Sequence, residues 1–106
     1  MRRGEVYWAS LPLGYGRRPV VVLTRGAVAE VRTRVTVAPV TRRARKMRSE
    51  VPVGRAEGVE RSSVVNLDNV LTVPKELLDR EPIGRLGATA GRRLDQALRW
   101  ALDIRT

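Results

Sequence analysis

The sequence contains no cysteine, no histidine and no phenylalanine, and its 106 residues include only four aromatics, Tyr7, Trp8, Tyr15 and Trp100. Without cysteine there is no disulfide frame, thiolate nucleophile, zinc finger or iron–sulfur site. Without histidine, the usual acid–base of neutral pH and the commonest metal ligand are both missing. Any catalysis has to run on arginine, lysine, carboxylates, tyrosine or hydroxyls. The longest apolar run, Val20 to Leu23, falls far short of the ~20 residues that a membrane span needs. The basic start Met1-Arg2-Arg3-Gly4-Glu5 is not followed by the apolar stretch of a secretory signal, so a cytoplasmic protein is expected, away from membranes. The length suits a single domain, residues 1–106, whose core small aliphatics must fill.

What is abundant is positive charge. The formal net charge is +10, and it is unevenly placed: residues 1–55 hold 13 Lys/Arg and 3 acids, whereas residues 56–106 hold 8 of each. Nineteen of the 21 basic residues are arginine, whose planar fork matches phosphate oxygens and guanine edges and stacks on bases. The densest stretch, Thr41-Arg42-Arg43-Ala44-Arg45-Lys46-Met47-Arg48, carries five cations in eight residues. A solvated surface loop in an arginine-rich sequence is one reading. Concentration of the charge in one half favours a surface that faces a polyanion, and nucleic acid is the natural one at this charge.

Along the chain, Glu5-Val6-Tyr7-Trp8-Ala9 reads as a strand and Leu11 to Arg17, with Pro12, Gly14 and Gly16, as a loop. Tyr7 and Trp8 alternate, so one faces the core and the other is open to dimer packing or nucleic-acid contact. Val20 to Thr24 alternates too little to be half exposed and predicts a central strand buried on both faces. Arg25 to Val31 is a loop or short turn, and Thr33 to Val40 a strand with one exposed face. Glu50 to Val53 is a short strand that Pro52 marks as an edge. Ser63 to Leu67 and Val70 to Val73 are further strands, with Asp68-Asn69 as an irregularity between them. Pro74 suits the first turn of a short helix through Leu78. Leu94, Ala97, Leu98, Ala101 and Leu102 form one apolar stripe on a helix from about Ala88 to Asp103. Short strands, tight loops and a terminal helix predict a mainly β fold with α, a strongly bent antiparallel sheet or barrel with helices on one side.

Five segments, in order, are Arg3-Gly4-Glu5-Val6-Tyr7-Trp8, Arg18-Pro19-Val20-Val21-Val22-Leu23, Val35-Thr36-Val37-Ala38-Pro39-Val40-Thr41, Ser63-Val64-Val65-Asn66-Leu67-Asp68 and Ile83-Gly84-Arg85-Leu86. Together they make the chain resemble the MazF/PemK family of toxin endoribonucleases. The resemblance implies an SH3-like β-barrel of the CcdB/MazF/Kid type with a C-terminal helix, a homodimer, and a toxin of a type II toxin–antitoxin system. It implies metal-independent cleavage of single-stranded RNA at short sequences and neutralisation by a cognate MazE-like antitoxin. Messenger RNA is the expected substrate, with transfer or ribosomal RNA as further candidates. By the same resemblance the catalytic pair falls on Arg18 and Thr41. The loop from Leu11 to Arg17 is shorter than in many relatives and lacks their Ser-Glu-Gln stretch, and Ser10 and Leu71 also depart from the common pattern.

The residues are compatible with that chemistry. RNA carries its own nucleophile, the 2′-hydroxyl, so the enzyme needs only to move protons and stabilise the phosphorane, and neither metal nor cofactor is expected. Arg18 suits a phosphate clamp and proton donor and Thr41 a hydroxyl donor, while Arg42, Arg43 and Arg45 attract phosphate. Arginine is a poor general base, and the base is left open. Arg17 is a further candidate to bind RNA, and Tyr15 either stacks a base or folds onto the barrel. Asp68 and Asn69 either read base edges or support a neighbouring loop. Thr41 has a bland alternative, that of satisfying a turn backbone. An acidic antitoxin, disordered until bound, fits a basic groove. The rival from another class is a CcdB-like DNA gyrase poison, which shares the implied fold and catalyses nothing.

Overall fold

The structure, a computed structural model, describes residues 1–105. It begins with a hairpin in which β1 (Glu5–Leu11) runs antiparallel to β2 (Gly16–Val22), in register from Val6–Val21 to Leu11–Gly16. The loop expected from Leu11 to Arg17 therefore shrinks to residues 12–15. Leu13 (φ 60°) and Gly14 (φ 80°) are both left-handed, and the Tyr15 N–H donates to the Pro12 carbonyl at 3.2 Å. Two successive left-handed residues match the twist of the strands they join, so pairing continues almost to the turn.

After a six-residue helix, α1 (Gly26–Val31), comes β3 (Arg34–Thr41), which occupies the middle of the sheet. One edge of β3 pairs with β2 through Val20–Pro39, Val21–Ala38 and Val22–Val37. Its other edge is shared: β6 (Leu71–Pro74) covers Arg34 to Val37, and β5 (Ser63–Asn66) covers Val40 and Thr41. The single exposed face expected of this strand holds only near Arg34 and Thr36. From Val37 to Val40 every residue is buried, because neighbours and side-chain layers cover the strand on all sides. β4 (Glu50–Val53) pairs only with β5 and is an edge, as Pro52 predicted.

Pro74 closes β6 and leads into a single 3-10 turn, Lys75–Leu77, in place of the helix expected through Leu78. The two-residue β7 (Gly84–Arg85), which no periodicity could signal, adds to the free edge of β1. The last element, α2 (Ala88–Ala101), ends two residues before the expected Asp103. Leu94 and Ala97 of its stripe are buried, and Leu102 lies past the helix end and is exposed. The result is mainly β, a curled antiparallel half-barrel with a C-terminal helix.

The sheet is buried on both faces. Val6, Val21, Ala38, Val40, Val51 and Val65 pack with Leu94 and Ala97 of α2, whereas Tyr7, Ala9, Val20, Val22, Val35 and Val37 pack with Val73 and Leu78 on the other side. Val20, Val21 and Val22 are each 0% exposed, which confirms the two-faced burial expected of that run. Each such valine contributes about 1.5–3 kcal/mol. Tyr7 is buried and Trp8 is 36% exposed, so the alternating pair divides as anticipated.

The curl closes where the segment after β4 meets β7. A Cβ on Gly58 would lie 2.1 Å from the Ile83 carbonyl oxygen, and one on Gly84 would lie 2.1 Å from the Glu57 carbonyl oxygen. Two backbones touch here and neither can retreat, so Gly84→Ala is expected to cost about 3 kcal/mol or to prevent folding; denaturant unfolding measures it. Burial, reinforced by the hydrogen bond from the Tyr7 hydroxyl to the Glu5 carboxylate, pushes the Tyr7 phenol up to about 12 from the ordinary 10.0. A raised folded value means that this contribution to stability is intact below pH 10 and fades as pH rises towards 12. Tyr7→Phe should therefore flatten the fall in unfolding free energy over that window.

Candidate functional site

Adjacent residues of a strand point to opposite faces, and this separates the two arginines of β2. Arg18 shares the face of Val20 and Val22, whereas Arg17 shares that of Val21. The β2–β3 ladder ends at Val20–Pro39. Neither Pro19 nor Pro39 has an N–H to extend it. Alternation along each strand, from Val20 on β2 and from Val37 on β3, puts both Arg18 and Thr41, just past the end of that ladder, on the side of the second cluster, which holds Val20, Val22, Val35 and Val37. Thr41 is meanwhile held from its other side by pairing with Val64 of β5.

Both side chains are half-buried and prearranged. The Arg18 Nε donates to the Tyr15 carbonyl at 2.8 Å, and the guanidinium sits 5.9 Å from the centre of the Tyr15 ring. Among the described residues nothing else accepts from Arg18, so its terminal N–H groups are free to grip an anion as a fork. Tyr15 itself rests, half-buried, on the second cluster, with Arg18 above its ring. The Thr41 Oγ1 accepts the Arg43 N–H at 3.2 Å. This is the turn-satisfying role, and it leaves the hydroxyl proton available to donate.

The remaining residues fall into three groups. Arg42, Arg43 and Arg45 lie on the exposed loop, residues 42–48, that leaves Thr41, and the Arg43 N–H meets the Thr41 hydroxyl, while the far end of the loop turns to α2, where Arg48 sits 5.5 Å from the centre of the Trp100 ring. Arg17 is elsewhere: it pairs with Asp79 at 2.6 Å, donates to the Ser10 Oγ at 3.3 Å and stacks 5.6 Å from the Trp8 ring. Asp68 and Asn69 occupy the exposed turn after β5. There the buried Ser49 hydroxyl donates to the Asp68 carboxylate, and the Asp68 N–H donates to the Asn66 Oδ1 at 2.9 Å. Asp68 thus supports the far stem of the basic loop. Glu50 was missed by sequence reasoning, although a signal existed: it is the only acid between Glu30 and Glu57, at the foot of the cation run. Its carboxylate accepts the N–H groups of Arg45 and Met47.

Among the described residues, no group of three or more acidic side chains gathers to hold a metal ion, and no helix is long and apolar enough to cross a membrane. A concavity of about 580 Å³ lies at the end of α2 beside Arg48 and Trp100, and neither Arg18 nor Thr41 lines it.

Comparison with known proteins is consistent across sequence and structure. The sequence model of the family described as "PemK-like, MazF-like toxin of type II toxin-antitoxin system" matches residues 2–102. The chain is 42% identical over 87 residues to endoribonuclease MazF3 of Mycobacterium tuberculosis, covering 82% of this chain and 84% of that protein. It is 40% identical over 102 residues to the probable endoribonuclease MazF5 of the same organism, covering 95% and 92%. Among solved structures, the Mycobacterium tuberculosis toxin MazF-mt6 superposes with a TM-score of 0.88 at 38% identity, over 96% of this chain and 99% of that one. A mycobacterial endoribonuclease in complex with its cognate antitoxin superposes with a TM-score of 0.87 at 25% identity, over 100% and 98%.

Proposed function

The chain belongs to the PemK-like, MazF-like toxins of type II toxin–antitoxin systems, and from that premise we propose that it is an endoribonuclease that cuts single-stranded RNA with Arg18 and Thr41 as its catalytic pair. The observation that carries the site is the shared face of the two residues, with the free end of the Arg18 guanidinium and the Thr41 hydroxyl proton both unspent. The gyrase-poison alternative is not favoured, because relatives at 40% and 42% identity over most of the chain are named endoribonucleases.

In the reaction we propose, the 2′-oxygen attacks the adjacent phosphorus, the phosphorus–5′-oxygen bond breaks, and the products are a 2′,3′-cyclic phosphate and a 5′-hydroxyl. One proton leaves the 2′-hydroxyl and one reaches the departing 5′-oxygen. Arg18 grips the non-bridging oxygens as negative charge builds on the phosphorane, and Thr41 donates a further hydrogen bond there. Arginine keeps its proton at neutral pH and so serves as clamp and donor, not as base. The nucleophile belongs to the substrate, so no metal is required of the protein.

Arg42, Arg43 and Arg45 supply the field that draws the RNA backbone in, which makes binding weaken with salt. Tyr15 sets the Arg18 guanidinium, and Asn69, exposed in the turn after β5, is our candidate to meet a base edge. Arg17 has its own partner in Asp79 and serves the opposite face. An acidic antitoxin segment laid along the same basic face would occlude it, and a cytoplasmic homodimer is the assembly that we expect.

Incubation with a long single-stranded RNA in EDTA should yield cuts at one recurring short sequence with 2′,3′-cyclic phosphate and 5′-hydroxyl ends. Arg18→Ala and Thr41→Ala should each slow cleavage on the order of 100-fold or more, the scale of losing a donor to a developing oxyanion. Undiminished cleavage in both variants removes the pair from the mechanism. Intact RNA together with gyrase-dependent DNA breaks points to the binding-module alternative.

A further inference from the structure

Seven exposed residues, 42–48, carry five cations, a composition that self-repulsion would extend into solvent. Their backbone is nevertheless satisfied from both ends. On one side the Arg43 N–H reaches the Thr41 Oγ1 and the Ala44 N–H reaches the Arg42 carbonyl. On the other, the Arg45 N–H donates to both oxygens of Glu50 at 2.9 and 3.2 Å, and the Met47 N–H donates to the Glu50 Oε1 at 3.2 Å. The residue between them, Lys46, is left-handed at φ 56°. That conformation turns the flanking N–H groups to one side and makes a small anion-receptive nest, which Glu50 fills. Glu50 is a firm anchor because β4 fixes it opposite Asn66 of β5.

We propose that Glu50 is a positioning residue: its carboxylate folds the 42–48 loop back so that Arg42, Arg43 and Arg45 are held beside Thr41 before RNA arrives. The proposal rests on the ribonuclease reading for its consequence, though not for the tether itself. A loop with exposed backbone and no buried side chain is otherwise at the low-stability end of a fold, and ordering it on binding would weaken RNA capture. A negative charge near a phosphate groove is electrostatically unfavourable, so Glu50 has to act through geometry.

The two effects have opposite signs, which makes the test decisive. Removing a carboxylate by charge alone would tighten RNA binding, whereas loss of the tether weakens it. Glu50→Ala should raise the KM for a cleavable RNA on the order of tenfold, with kcat within about twofold. Glu50→Gln keeps an oxygen that can accept both N–H groups while losing the charge, so its KM should be at or below that of the parent. In limited proteolysis without RNA, trypsin should cut the Glu50→Ala protein after Arg45 or Lys46 roughly tenfold faster than the parent, with the Gln variant protected. Equal tryptic rates for the Ala variant and the parent overturn the tether. An unchanged or lowered KM in the Ala variant, despite faster proteolysis, overturns its role in RNA capture. A parent protein that cuts no RNA but shows the tryptic difference overturns the ribonuclease reading and leaves the tether standing.

Discussion

The burial of β2 and β3 on both faces is the constraint on which the rest depends. Valines 20–22 alternate between two apolar layers, and Val37 and Ala38 do the same on β3, so no residue of this central pair is free to change sides. A slip of one residue would move every side chain of a strand to the other face. It would also exchange Arg17 for Arg18 on the side of Thr41, since these arginines are neighbours. Packing of plain aliphatics therefore decides which guanidinium faces the functional surface, although no aliphatic takes part in the chemistry.

The charge asymmetry acquires a geometric meaning in the folded chain. Acids of the neutral second half reach back to cations of the first, as in Arg3–Asp95 at 2.8 Å and Arg17–Asp79 at 2.6 Å. These exposed pairs contribute little stability individually. Their effect is local: among the described residues only Arg3, Arg17 and Arg105 of the nineteen arginines hold a carboxylate, and Arg18, Arg42, Arg43 and Arg45 belong to the many that hold none. The first half therefore keeps nearly all of its positive charge unpaired, and a phosphate backbone is its natural counterion. The carboxylate of Glu50, beside the densest cation run, is turned to backbone N–H groups, not to a guanidinium.

Much of this was legible beforehand, for identifiable reasons. The valine run announced a central strand because burial on both faces suppresses alternation, and Pro52 announced an edge because it lacks an N–H. The helix stripe was plain from Leu94 to Ala101. Residues 12–15 were misjudged in extent because left-handed Leu13 leaves no compositional trace, and β7 is too short to have a period. Gly84 was legible only as part of a resemblance, and the structure supplies the reason, a backbone contact that admits no Cβ. Arg18 and Thr41 likewise came from resemblance, since nothing in their local sequence distinguishes a clamp from a strand end. Arg17 was grouped with the candidate RNA-binding residues by its place in the chain, and the two-residue period of the strand puts it on the other side of β2 from Arg18, with Asp79 as its partner.

The central claim is that Arg18 and Thr41 act as a unit on one phosphate. Single-turnover cleavage rates for the parent, Arg18→Ala, Thr41→Ala and the double variant test it most directly, because residues that serve one transition state lose their effects together. The account predicts that the double variant is no more than about threefold slower than the slower single variant. Rate losses that multiply in the double variant would contradict it, and would mean that the two residues serve separate steps or separate sites.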